Sequence, residues 1–145
     1  MRLVLDTDVV VAALRSDQGA SRQLLLAALD RRVVVVASVP LMLEYEAVLT
    51  RPEQLDQILV TAEEINMVLD ALAAVVEPVP LRFLWRPQLK DPADEMVLET
   101  AVNGRADLVT FNMRHLGAAA RAFGIRAVLP GTIWREIRGT KHEKK

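Results

Sequence analysis

The run Val33-Val34-Val35-Val36-Ala37 is apolar without a break and is followed by Ser38-Val39-Pro40. A strand with no polar side must be covered on both faces, which is the situation of a parallel sheet packed between helices. Its length and its Val content favour a strand over a buried helix. A chain built around such a run needs helical segments before and after it.

Those segments are present. Arg2–Leu5 is a second short apolar run, closed by Asp6-Thr7-Asp8. Val9–Leu14 reads as a helix, Ser16-Asp17-Gln18-Gly19 as a break, and Ser21 as the cap of a helix with Leu24, Leu25, Ala28 and Leu29 on its apolar face. Ser38 caps a further helix, with Pro40 in its first turn, that runs to about Leu49. Arg51–Gln57 reads as a loop or weak helix. Thr61-Ala62-Glu63-Glu64 is a capping box opening a helix to about Val76. Glu77–Leu81 is an edge strand because Pro78 and Pro80 remove ladder donors, and Phe83–Leu89 is an irregular connection. Asp91 starts a helix that ends near Asn103-Gly104. Asp107–Thr110 is a strand, Leu116–Phe123 a short helix, Arg126–Leu129 the last strand, and Pro130-Gly131-Thr132 leads into a terminal helix. This alternation means one α/β domain with a mainly parallel sheet. The expected domain spans residues 1–138, followed by a basic tail at 139–145 ending KHEKK.

Composition removes several classes of function. With no cysteine there is neither a disulfide framework nor a thiolate metal site. No apolar run approaches the roughly eighteen residues of a membrane span, and Asp6 and Asp8 interrupt the N-terminal run that a signal peptide would need. A cytoplasmic protein is expected, with no membrane partner. A net charge of −1 argues against a generic nucleic-acid coat protein but not against a nuclease, whose acidic centre becomes positive when it binds a cation.

The acids fall where strands end. In an open parallel sheet, sites form outside the carboxyl ends of the strands. Asp6 and Asp8 follow the first strand. Glu44 lies on the helix after the second, while Glu46 points about 200° away around that helix. Asp91, Asp94 and Glu95 open the helix before the fourth strand, and Thr110 and Asn112 follow that strand. Each has a plainer reading: Asp6 or Asp8 as a helix cap, Asp91 and Glu95 as first-turn acids that suit the helix dipole. Together they bring oxygen ligands to one rim, a set that suits Mg²⁺ or Mn²⁺ rather than zinc. Such an ion can generate a nucleophile from water and hold phosphodiester oxygens.

From LVLDTDVVVAAL through LMLEYEAVLTRP to DPADEMVLETAVNGRADLVTFNMRHL, the chain resembles the PIN-domain ribonucleases. The resemblance is narrower to the stand-alone kind that serve as toxins of toxin–antitoxin pairs. It implies an α/β/α sandwich of strand order 3-2-1-4-5. It also implies Mg²⁺- or Mn²⁺-dependent cleavage of single-stranded RNA, leaving 5′-phosphate and 3′-hydroxyl ends. The family's first three acids match Asp6, Glu44 and Asp94, expected as metal ligands, and its small hydroxyl residue matches Thr110. The position where the family commonly has Asn holds Asp8. The fourth acidic position holds Asn112, which keeps an oxygen but brings no charge; Asp91 or Glu95 would compensate. Arg51, Arg114 and His115 are candidates for the phosphate path, with Trp85 and Trp134 as candidates for base stacking. An antitoxin partner and a homodimer are implied as well, with the first two helices and Leu55–Val76 as apolar faces for them.

Competing readings are fewer. A PIN-like module that binds RNA or protein without cutting would account for Asn112. A phosphotransfer receiver requires an Asp after the third strand and a Lys after the last, and the sequence has neither. A haloacid-dehalogenase-like phosphatase matches the opening DTD and, faintly, Lys90, but leaves Glu44 unexplained. A dinucleotide-binding fold is excluded because no GxGxxG follows the first strand.

Overall fold

The computed structural model describes residues 1–57, 61–82 and 91–143. Strand β1 (Arg2–Leu5) leads into α1 (Thr7–Arg15) and α2 (Ala20–Leu29), then β2 (Val34–Ala37). Helices α3 (Val39–Leu49), α4 (Pro52–Leu55) and α5 (Ala62–Val75) precede β3 (Glu77–Pro78). Helix α6 (Pro92–Gly104) precedes β4 (Asp107–Val109). A π-helical turn at Met113–Gly117 runs into α7 (Ala118–Ala122), and β5 (Ala127–Val128) is followed by α8 (Pro130–Glu143). The backbone of α8 stays helical past residue 138, the expected end of the domain. The expected connection Phe83–Leu89, with Trp85, lies outside the described residues, as do Lys90 and the last two lysines.

The strands form one sheet in the order β3-β2-β1-β4-β5, and every pairing is parallel. Right-handed crossovers then require the β1–β2 and β2–β3 connections on one face and the β3–β4 and β4–β5 connections on the other. Packing of α1 on α2, α2 on α5 and α8, and α6 on α7 agrees with that division. Leu3, Val4, Leu5, Val35, Val36, Leu108 and Val109 are all buried, so the central strands are covered on both faces. The order reverses between β1 and β4, and this switch point opens a crevice at their carboxyl ends.

Caps fix where the rim helices begin. Ser38 Oγ accepts from Leu41 N at 3.3 Å and lies 2.7 Å from Thr100 Oγ1, tying the start of α3 to α6. The Thr61–Glu64 capping box is formed in both directions. Ser21 is not a cap: α2 begins one residue earlier, after Gly19, and Ser21 is buried inside its first turn.

The end of α6 differs from the Gly-cap expectation in an instructive way. Gly104 is the last helical residue, and the left-handed turn is made by Arg105 at φ 49°. A Cβ on Gly104 would lie 3.0 Å from Val79 Cγ2 and 3.2 Å from Val36 Cγ2, so glycine here permits close helix–sheet packing. Arg2 donates to the Gly104 carbonyl from Nε and Nη2, at 3.2 and 2.9 Å, a cation placed at a helix C-terminus.

Candidate active site

The crevice at the switch point is a cleft of about 590 Å³, whose lining includes Asp6, Asp8, Glu44, Asp94, Phe111 and Asn112. Asp6 sits where β1 stops. Its N–H still donates to Val109 O at 2.9 Å, continuing the sheet, while its Oδ1 accepts from Thr7 N at 2.8 Å and caps α1. The other oxygen accepts from Thr110 Oγ1 at 2.6 Å. Capping and membership of the cleft are therefore both true of Asp6. Burial and the Asp8 charge push its pKa up to about 7, against the lowering effect of the bonds from Thr110 and Thr7.

Asp8 enters from the first turn of α1. Its Oδ2 accepts from Phe111 N at 3.3 Å, and its buried Oδ1 has no hydrogen-bond partner among the described residues. Burial raises its pKa, with Asp94 adding to the rise. Asp94, half-buried in the first turn of α6, is raised to about 6 by burial, then by Asp6 and Asp91, with His115 opposing. Glu44 is half-buried and reaches the cleft, whereas Glu46 is exposed, as the helix geometry of α3 requires.

Asn112 is fixed by three bonds. Its N–H donates to Thr110 Oγ1 at 2.9 Å, and its Oδ1 accepts from His115 N at 3.3 Å, capping the π-helical turn. The amide nitrogen is thereby turned to Asp94 Oδ2, 3.5 Å away. A neutral donor at this position faces an acid that a second carboxylate would repel. The turn it caps was expected to be an ordinary helix beginning at Leu116, and π-helical turns of this kind are frequent at functional sites.

Thr110 is fully buried directly beneath Asp6. Other candidates stand apart from the cleft lining. Asp91 is exposed and caps α6 through Ala93 N at 2.9 Å. Glu95 is buried on α6, one turn from Glu99, a buried acid that the sequence reading did not single out. Arg51 is exposed at the start of α4, and Arg114 and His115 are exposed on the π-helical turn. Trp134 is partly buried against the core with the Arg32 guanidinium 5.9 Å from its ring centroid, so it is not an open stacking surface. Sequence reasoning missed Arg15, Gln54 and Phe111, which line the cleft. The available signals were the seven-residue spacing from Asp8 to Arg15 and an aromatic between Thr110 and Asn112.

The donor set is carboxylate, amide and hydroxyl oxygen, which suits a hard divalent cation. Asp8 Oδ1 is buried without a hydrogen-bond partner among the described residues. Burial first, then neighbouring acids, raise Asp6 and Asp94, so a cation between these groups would favour their ionised forms. Among the described residues no three of these side chains already stand in ligating geometry, so an ion would have to draw them together.

A family model described as PIN domain matches residues 2–114. No curated protein matches the chain. Among solved structures, the chain resembles a chain of VapBC2 from Rickettsia felis, a complex bound to a DNA fragment from its promoter. The TM-score is 0.60 at 15% identity, covering 88% of this chain and 97% of that one. A chain of FitAcB from Neisseria gonorrhoeae aligns over the same shares with 17% identity and a TM-score of 0.49. At such identities the first likeness speaks to fold alone.

Proposed function

The chain belongs to the PIN-domain family, and from that premise we propose that it is a Mg²⁺- or Mn²⁺-dependent endoribonuclease acting on single-stranded RNA. The observation that carries the reading is the convergence of Asp6, Asp8, Glu44 and Asp94, from three separate segments, on one cleft at the switch point of a parallel sheet.

Asp6, Glu44 and Asp94 would hold the ion. When bound, it lowers the pKa of water and neutralises charge on the phosphodiester oxygens. Thr110, by donating to Asp6 Oδ2 while Thr7 N donates to Oδ1, fixes the orientation of that carboxylate in the cleft lining. Asn112 orients Asp94 and adds no further negative charge. Asp8, whose charge raises the Asp6 pKa and whose buried Oδ1 has no hydrogen-bond partner among the described residues, adds a further oxygen to the cleft. Cleavage leaves 5′-phosphate and 3′-hydroxyl ends.

The resemblance of the sequence to stand-alone members of the family extends the proposal to a toxin role with a cognate antitoxin, a homodimer and a cytoplasmic setting. Among the described residues, no helix is long and apolar enough to cross a membrane. A second reading, an RNA- or protein-binding module without catalysis, is favoured by Asn112 in the fourth acidic position.

The test is incubation of labelled single-stranded RNAs with protein stripped of any copurifying partner. Mg²⁺ or Mn²⁺ is compared with EDTA, alongside Asp6→Asn and Glu44→Gln. Metal-dependent cleavage with 5′-phosphate ends, lost in both variants, is the expected result. Metal binding without cleavage selects the second reading.

A further inference from the structure

Phe111 is 50% exposed, although it directly follows the buried Val109-Thr110 strand end. Exposed aromatic surface costs free energy in water, and the backbone here does not need a ring. That backbone is pinned on both sides. Phe111 N donates to Asp8 Oδ2, and the next N–H donates to Thr110 Oγ1. The ring therefore stands on a fixed stem in the cleft wall beside the acids.

Along α1, Arg15 lies seven residues from Asp8. Seven residues is close to two full turns, so the two side chains leave the same face about 10 Å apart. Val11 and Ala12 lie between them and line the same cleft. The Arg15 guanidinium donates to Gln54 Oε1 at 2.8 Å, an anchor on α4. That contact takes one of the five donors a guanidinium offers.

Building on the ribonuclease reading, the geometry points to a single-strand track along α1. One nucleobase stacks on Phe111 beside the acidic centre, and Arg15 grips a neighbouring phosphate. Among the described residues Arg15 is the cation that lines the cleft, and it offsets the repulsion between an acidic site and a polyanion. A base held in a duplex has both faces covered and cannot reach a ring in a side wall. The track therefore selects unpaired RNA through its π-face rather than through its sequence.

The test is binding of short single-stranded RNAs carrying 2-aminopurine at successive positions. It is measured in Ca²⁺, with the RNA checked for integrity, for wild type, Phe111→Ala, Phe111→Tyr and Arg15→Gln. Both side chains are exposed, so the variants should fold, and thermal melts verify it. Phe111→Ala is expected to weaken binding about tenfold or more, with Phe111→Tyr close to wild type. Fluorescence should be quenched at one position in wild type and Phe111→Tyr but not in Phe111→Ala. An abasic nucleotide at that position should make wild type and Phe111→Ala equal. Arg15→Gln should make the slope of log affinity against log salt shallower by about 0.7. Equal affinity of wild type and Phe111→Ala, absence of position-specific quenching, or equal binding of duplex RNA overturns the track. Metal-dependent cleavage by the same preparation would leave the ribonuclease reading standing, whereas absence of both binding and cleavage by wild type sinks both.

Discussion

The bonds from Thr110 and Thr7 favour the ionised form of Asp6, yet burial and the Asp8 charge outweigh them and hold its pKa at about 7. An Asp in the unfolded chain titrates near 3.9. Between about pH 4 and 7 the folded protein thus keeps a proton that the unfolded chain has released. The resulting stability is fully present below the unfolded pKa and is lost as pH rises through the folded one. Asp94, at about 6, contributes with the same sign. In EDTA, the melting temperature of wild type relative to Asp6→Asn should therefore fall from pH 5 to pH 8; a pH-independent difference would contradict this origin. Mn²⁺ affinity, measured calorimetrically, should rise over the same interval because the ion needs the carboxylates ionised. Asn112→Asp should tighten Mn²⁺ binding and lower metal-free stability by roughly 1 kcal/mol or more, since it replaces a donor facing Asp94 by a second charge. The rim positions of Asp6, Asp8, Glu44, Asp94 and Asn112 were legible because each directly follows a strand or lies on the helix after one. Arg15 and Phe111 were not, since their place in the cleft depends on how α1 and the β4 end face each other. Within DPADE only the family resemblance separated Asp94 from Asp91 and Glu95, because all three acids suit a helix N-terminus.

The turn after α6 shows what local pattern can and cannot tell. Asn103-Gly104 looks like a helix stop, and the helix does stop there. The glycine, however, is required by Val36 and Val79, and the strained left-handed φ belongs to Arg105. Gly104→Ala is accordingly expected to destabilise by roughly 1–3 kcal/mol despite the better helix propensity of alanine, because it overpacks the helix–sheet contact. Arg105→Gly should stabilise by about 1 kcal/mol. Urea unfolding of the two variants would give opposite signs; a stabilised Gly104→Ala would place the steric argument in error. Elements whose caps are side-chain chemistry, such as α3 and α5, were readable directly. The π-helical turn was not, because its cap at Asn112 is one arm of a network shared with Thr110 and Asp94.

Across the whole molecule, alternation of apolar strands and helices was enough to set a parallel α/β sheet, while strand order came from family resemblance. Periodicity says which strands are buried, not which neighbour each one has. Under the proposed metal-dependent reading, the same sheet links ion binding to folding. An ion that binds the assembled rim and not the unfolded chain should stabilise by about 2.7 kcal/mol at a hundredfold excess over its Kd. Thermal melts in Mn²⁺ against EDTA check this, and Asp6→Asn should abolish the difference. The strand order also carries a consequence for synthesis. Strand β4 completes the centre by pairing with β1, more than a hundred residues earlier in the chain. A nascent polypeptide emerging from a ribosome thus carries Asp6 and Asp8, and later Glu44, well before Thr110 and Asn112 are made. No product that stops short of β4 has an assembled rim, so whatever the cleft binds must wait for that strand.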